Sequence, residues 1–151
     1  MKPSDSAQTL IEQLGLSPHP EGGWYRETWR APAADETRAG GTAILFLLKA
    51  SEASHWHRVD ADELWLWQGG DPLALRIALR DAGPAETILL GGDIAAGERL
   101  QGLVPKGAWQ ATRPAGTGDA GYSLVSCIVV PGFEFAGFTL APAGWEPGAA
   151  L

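Results

Sequence analysis

The chain has 151 residues, enough for one domain with a real core and too few for two ordinary ones. Apolar residues make up 45% and charged residues 19%, ordinary for a globular protein, while a formal charge of -7 argues against nucleic acid, whose phosphates need Lys and Arg. The single Cys127 rules out an intramolecular disulfide, and no apolar run reaches signal-peptide length at the start or the roughly 20 residues of a membrane span, so a soluble, cytoplasmic protein is expected.

Ser6 is placed to cap a helix through Ala7, Leu10, Ile11 and Leu14, which share one face, and Gly15 ends it. The following Pro18-His19-Pro20-Glu21-Gly22-Gly23 cannot be helical; its glycines read as a tight turn, not a phosphate loop, and His19 as an exposed residue. Trp24 to Arg30 alternates as a strand, with Trp24, Arg26 and Thr28 on one face and Tyr25, Glu27 and Trp29 on the other. Residues 31–41 form a polar loop, in which Arg38 reads as a solvated side chain.

Thr42 to Leu48 is an apolar run of strand length. Further strands are expected over 73–79, 86–90, 98–104, 108–113, 122–130 and 133–140, each bounded by Gly, Pro or Asp. The buried run around Cys127 makes it a core thiol. Short strands at close intervals, without helical periods between them, mean an all-β sandwich or barrel. Residues 1–17 would carry the helix and residues 142–151, small and Gly-rich, a loose tail.

The chemistry concentrates in Ser54 to Gly70. His55 and His57 stand two residues apart and would project from one face of a strand. Asp60 and Asp62 favour a turn after them, so that a hairpin would carry Glu63 back toward the imidazoles. Two imidazoles and a carboxylate would make either a metal site or a metal-free acid/base site. A buried His–Glu hydrogen bond without function is the plain structural alternative. Trp65 and Trp67 alternate with Glu63 onto its face and, with the later Trp109, would wall a ligand pocket or simply fill the core.

These residues resemble the cupin superfamily, small β-barrels with a double-stranded β-helix (jelly roll) fold. The first cupin motif looks like His55, His57, Glu63 and Gly69. The second reads Pro105-Lys106-Gly107-Ala108-Trp109-Gln110, with Gln110 where a ligand histidine would stand. More narrowly, the chain is similar to the Cupin 5 subgroup in Pro18 to Thr28, His57-Arg58, Asp62 to Trp65, Leu90-Gly91 with Asp93, Val104 to Gln110, and Val130 to Phe135.

The resemblance implies an all-β jelly roll with a short N-terminal helix and a likeness in fold to deoxysugar epimerases and seed-storage proteins. It also implies a homodimer, and a pocket for a small molecule such as a sugar derivative or organic acid. One reading places a divalent Fe, Mn, Ni, Co or Zn ion on His55, His57, Glu63 and Gln110. Another needs no cofactor: His57 is the base, oriented by Glu63, and Tyr25 or Tyr122 the acid. Arg26 would reach the pocket as a fork for an anion. Epimerisation by proton transfer leads, with a non-catalytic binding protein and a metal-dependent oxygenase as the other functions.

Overall fold

The computed structural model describes residues 6–33, 37–116 and 118–149. Residues 1–5 of the expected helical segment, 34–36 of the polar loop, Thr117, and 150–151 of the tail lie outside the described residues.

Helix α1 (Ala7–Leu14) begins where the Ser6 hydroxyl accepts the Thr9 amide and ends at Gly15, whose φ of 66° is left-handed. Its apolar face, with Ile11 buried, packs with Leu16, Trp24 and Tyr122 on the outward side chains Leu45, Leu47 and Leu124.

The strands are β1 (Ser17–Pro18), β2 (Trp24–Arg30), β3 (Thr42–Lys49), β4 (Ser54–Val59), β5 (Asp62–Gly70), β6 (Leu73–Ala78), β7 (Ala85–Leu90), β8 (Gln101–Val104), β9 (Trp109–Pro114), β10 (Tyr122–Val130) and β11 (Phe138–Leu140). They form two antiparallel sheets, one ordered β1-β2-β3-β10-β5-β8 and the other β11-β4-β9-β6-β7. Most expected strands appear within a residue or two. The last is shorter than expected, because a 3₁₀ turn at Phe135–Gly137 takes its first half.

The barrel interior is filled toward one end. Phe46, Leu48, Trp65, Leu73, Leu75, Leu90, Val104, Val125 and Cys127 pack there from both sheets. Facing sheets bury these alternate side chains, and their removal from water drives the fold. Three expectations are corrected by the structure. First, β4 and β5 do not pair as a hairpin. After Asp60-Ala61 the chain turns the corner of the sandwich, β4 pairing with β9 and β11 and β5 with β10 and β8. His57 and Glu63 therefore face each other from opposite sheets instead of standing side by side.

Second, the tail is anchored through residue 149. Trp145 is buried against Trp56 and Trp109, its indole N–H donates to the Ala149 carbonyl, and the Gly148 amide donates to the Asp81 carbonyl. A large aromatic side chain gains more by covering the outer face of the sheet than its Gly-rich neighbours lose in chain freedom. Third, the Pro18–Gly23 segment tucks inward. The His19 amide donates to the Gly23 carbonyl (2.9 Å) and the Gly22 amide to the His19 carbonyl (3.0 Å). Gly22 and Gly23 have φ of 103° and 78°, and a Cβ on Gly22 would strike the Ala53 carbonyl. Only glycine takes that conformation at that approach.

Candidate functional site

Toward the other end the interior stays open as a cavity of about 270 Å³, lined by His19, Glu21, Tyr25, Glu27, Arg30, Thr42, Ile44, His57, Val59, Glu63, Val129 and the stretch Phe133–Phe135 with Phe138. Two β-bulges decide which residues reach it. In β2 the register against β3 shifts between Glu27 and Trp29. Tyr25 and Glu27 face inward as alternation requires, but the extra residue turns Trp29 out, 52% exposed, and brings Arg30 in.

In β4 the register against β9 shifts between Ser54 and His57. His57 and Val59 line the cavity, whereas His55 lies in a separate cleft beside Trp56 and Arg76, its Nε2 on the Pro142 carbonyl at 2.9 Å. The expected side-by-side pair of imidazoles is thus not formed, because the bulge cancels the two-residue period.

His57 is buried and held at both nitrogens. Nδ1 lies 2.7 Å from the His55 carbonyl, so it must carry a proton and donate it, since a carbonyl only accepts. Nε2 stands 2.6 Å from Glu21 Oε2. Two bare lone pairs repel at that distance, so the pair holds a shared proton. The approach is not aligned as a hydrogen bond, which leaves Oε2 buried without a well-directed donor. Burial alone would lower the imidazole, but Glu21 beside it, with Glu63 further off, holds it above its usual 6.5. The loop that carries Glu21 is tied to β4, the Glu21 carbonyl accepting the His55 amide at 2.7 Å.

The partner of His57 is therefore Glu21, not the expected Glu63. Glu63 accepts from Gln110 Nε2 at 2.8 Å, while Gln110 Oε1 accepts the Trp65 indole N–H at 2.8 Å. The indole can only donate, so it fixes the amide with its NH₂ toward Glu63. Burial pushes Glu63 up to about 7, against the pull of His57 and the Gln110 hydrogen bond. Burial likewise drives the Cys127 thiol beside it well up, as suits a core thiol. Trp65→Phe is expected to cost about 1–3 kcal/mol in urea unfolding, because Gln110 Oε1 then stays buried without a donor. An unchanged midpoint would refute that role for the indole.

The remaining predicted residues separate. Trp65 and Gln110 are buried immediately behind Glu63 but do not line the cavity. Trp67 does face inward, yet at the packed end, where its indole donates to the Asp71 carbonyl. Trp109 points outward, stacked under Arg58 and bonded to Asp81 at 2.7 Å, because its neighbour Gln110 takes the inward position. Tyr122 lies under α1 on the outer face, and exposed Arg26 caps the helix end through the Leu14 carbonyl. Arg38 is engaged by Asp60 and the Gly132 carbonyl. Of the two candidate acids, Tyr25 alone lines the cavity.

The proposed metal donors do not fit one ion. His55 is elsewhere, His57 Nε2 is engaged by Glu21, and Gln110 presents N–H rather than oxygen. Among the described residues no three His, Cys, Asp or Glu side chains are grouped to hold a metal. Glu21 and His19 are among the cavity residues not expected from the sequence. Glu21 is buried, and the His19 side chain is 5% exposed, its ring 4.5 Å from that of Tyr25. The signal was present: two polar residues in a Pro- and Gly-punctuated turn directly before an inward-facing strand. Burial lowers His19, and its Nδ1 accepts the Glu21 amide at 3.1 Å, so the ring is neutral with its proton on Nε2.

No helix among the described residues is long and apolar enough to cross a membrane. Protein SO0799 from Shewanella oneidensis is similar in structure, with a TM-score of 0.83 at 41% identity over 93% of this chain and 85% of that one. An uncharacterized Saccharomyces cerevisiae protein, YML079W, is 30% identical over 89% of this chain and 74% of its own length. Oxalate decarboxylase from Bacillus subtilis, at 13% identity and a TM-score of 0.61, shares the fold over 82% of this chain. Residues 8–141 match the family Cupin_5, "Cupin superfamily (DUF985)", and the chain belongs to that family.

Proposed function

We propose that this cupin is an enzyme that moves a proton on a small polar molecule held in the cavity, as an isomerase or epimerase does. The observation that carries the reading is the buried His57–Glu21 contact at 2.6 Å, opening onto a cavity walled by aromatic rings. A residue pair that has lost its shared proton is a base. It takes a proton from carbon next to a carbonyl, and the electron pair moves onto the carbonyl oxygen. Glu63, protonated below about 7, or Tyr25 gives that oxygen a proton, and the reverse steps return a proton to carbon. The chemistry uses only these side chains, and no step runs through a metal.

The test is exchange in D₂O against a panel of small sugars, ketones and amino ketones, followed by mass spectrometry and NMR. Wild type is expected to place deuterium at the carbon beside the carbonyl, with a bell-shaped pH dependence near neutrality, and His57→Ala is expected not to. Exchange at the wild-type rate in His57→Ala would refute the base. Saturable binding without exchange would favour the second reading, a binding protein without turnover, which the aromatic walls support by themselves.

The homodimer remains part of this proposal. Among the described residues, β2 has no partner on its outer edge beyond Tyr25, β1 pairing only with Trp24 and Tyr25, and an open edge is a surface for a second copy. Light scattering should return twice the chain mass; a monomer at micromolar concentration would remove the dimer.

A further inference from the structure

The charges around the cavity say what kind of molecule it admits. Four carboxylates line it, Glu21, Glu27, Glu63 and Glu134, against one guanidinium, Arg30. That guanidinium is already occupied: Arg30 Nη2 donates to Glu27 Oε1 at 2.7 Å and to the Phe133 carbonyl at 3.1 Å, and Nε donates to Glu27 Oε2 at 3.2 Å. Arg26, expected from the sequence to clamp an anion, is turned away to the helix end, and Arg38 is bonded to Asp60, with Glu134 also within its field. His19 is neutral by its hydrogen bond, and the charge on His57 is matched by Glu21. With these pairs cancelled, Glu134 is the carboxylate left over, and Glu63 adds a second negative charge only above about 7.

Its walls agree. Phe133, Phe135 and Phe138 meet edge to face, with centroids 4.9 Å apart for Phe133 and Phe135, 6.0 Å for Phe133 and Phe138 and 6.1 Å for Phe135 and Phe138. The Tyr25 ring lines the same space. Aromatic faces carry negative charge and attract cations, and a carboxylate nearby strengthens the effect.

We infer that the cavity selects a small organic cation, an amine or a quaternary ammonium compound, and rejects carboxylates and phosphates. This rests on the proposed reading of the same cavity as a substrate site, and it names the class of substrate. Proton transfer would then occur on an amino-substituted carbonyl compound, whose ammonium group sits among the phenylalanines while the carbonyl faces Glu63.

Calorimetric titration of the intact protein with three molecules of one shape tests it: choline, its neutral analogue 3,3-dimethylbutanol, and the anion 3,3-dimethylbutyrate. Choline is expected to bind at least about tenfold more tightly than the anion, with the alcohol between. Glu134→Gln is expected to narrow that gap, and Phe135→Leu to weaken choline more than the alcohol. Binding of the acid as tight as choline, or no saturable binding of choline at millimolar concentration, would overturn the inference. Because the titration reads binding alone, that result leaves the exchange test of the His57–Glu21 base standing. Loss of exchange with choline binding intact would do the reverse.

Discussion

Glu21→Gln is expected to lower the His57 imidazole from its raised value and to slow substrate proton exchange by about 10²–10⁴-fold. The sign follows from the two opposing influences on His57. Burial disfavours the imidazolium, and the Glu21 carboxylate, with Glu63 and the His55 carbonyl, more than offsets this. Glutamine removes the largest of the raising influences and keeps the shape, so the balance moves toward burial. The Nδ1 proton stays in place, because the His55 carbonyl that holds it at 2.7 Å is backbone. Nitrogen-15 NMR titration of the histidines reads the shift without any substrate. A His57 value unchanged in Glu21→Gln would mean that the carboxylate does not act on the imidazole, and the proposed base would lose its footing. A merely structural role for Glu21 would move the urea midpoint and leave the imidazole where it is.

The second large effect concerns stability. Glu63→Gln should strengthen the fold at pH 8 by on the order of 3 kcal/mol while changing it little at pH 4.5 or below. Glu63 is raised from 4.5 in the unfolded chain to about 7 in the folded protein. The folded state therefore binds its proton more tightly. The stability this provides is complete below 4.5, falls as pH rises, and is gone above about 7. His57 adds a loss of the same sign, beginning at 6.5 and running up through its raised folded value. Wild type should thus weaken steadily between about 4.5 and 7, and Glu63→Gln should flatten that slope. Urea unfolding at pH 4.5, 6 and 8 measures both. Equal slopes in the two proteins, or a variant weaker at pH 8, would show that Glu63 carries no buried-charge penalty. A group that is costly to ionise is poorly explained as filler, and in the proposed chemistry it is the acid held near neutral pH.

Much of the molecule was legible before any coordinates. Ser6 and Gly15 bracket the helix because a hydroxyl cap and a left-handed glycine work locally. Alternation in Tyr122 to Val130 depends only on which faces are apolar, and that strand lies where it was expected. His57, Glu63 and Tyr25, candidates from motif and strand facing, all line the cavity.

The misread facings within β2 and β4 arose where a single inserted residue or a sheet-to-sheet crossing intervened. The bulge at Ser54–His57 sends His55 to another cleft, and the bulge at Glu27–Trp29 exchanges Trp29 for Arg30. A bulge has no reliable residue signature, yet it reverses every facing beyond it. The predicted hairpin failed for a related reason: two residues joining two strands are equally consistent with folding back in one sheet and with stepping across to the other.

The amino-acid sequence by itself determined the all-β class, the strand positions, the capped helix and the family, because these follow from periodicity, turn residues and motifs that are read along the chain. Only the tertiary structure decided that Glu21 is the partner of His57, that Gln110 is fixed toward Glu63 by Trp65, and that Arg26 and Arg38 are engaged outside the cavity. Those facts are distances between residues 12 or more positions apart, set by how two sheets and an inward loop pack. No local pattern encodes a separation of that kind.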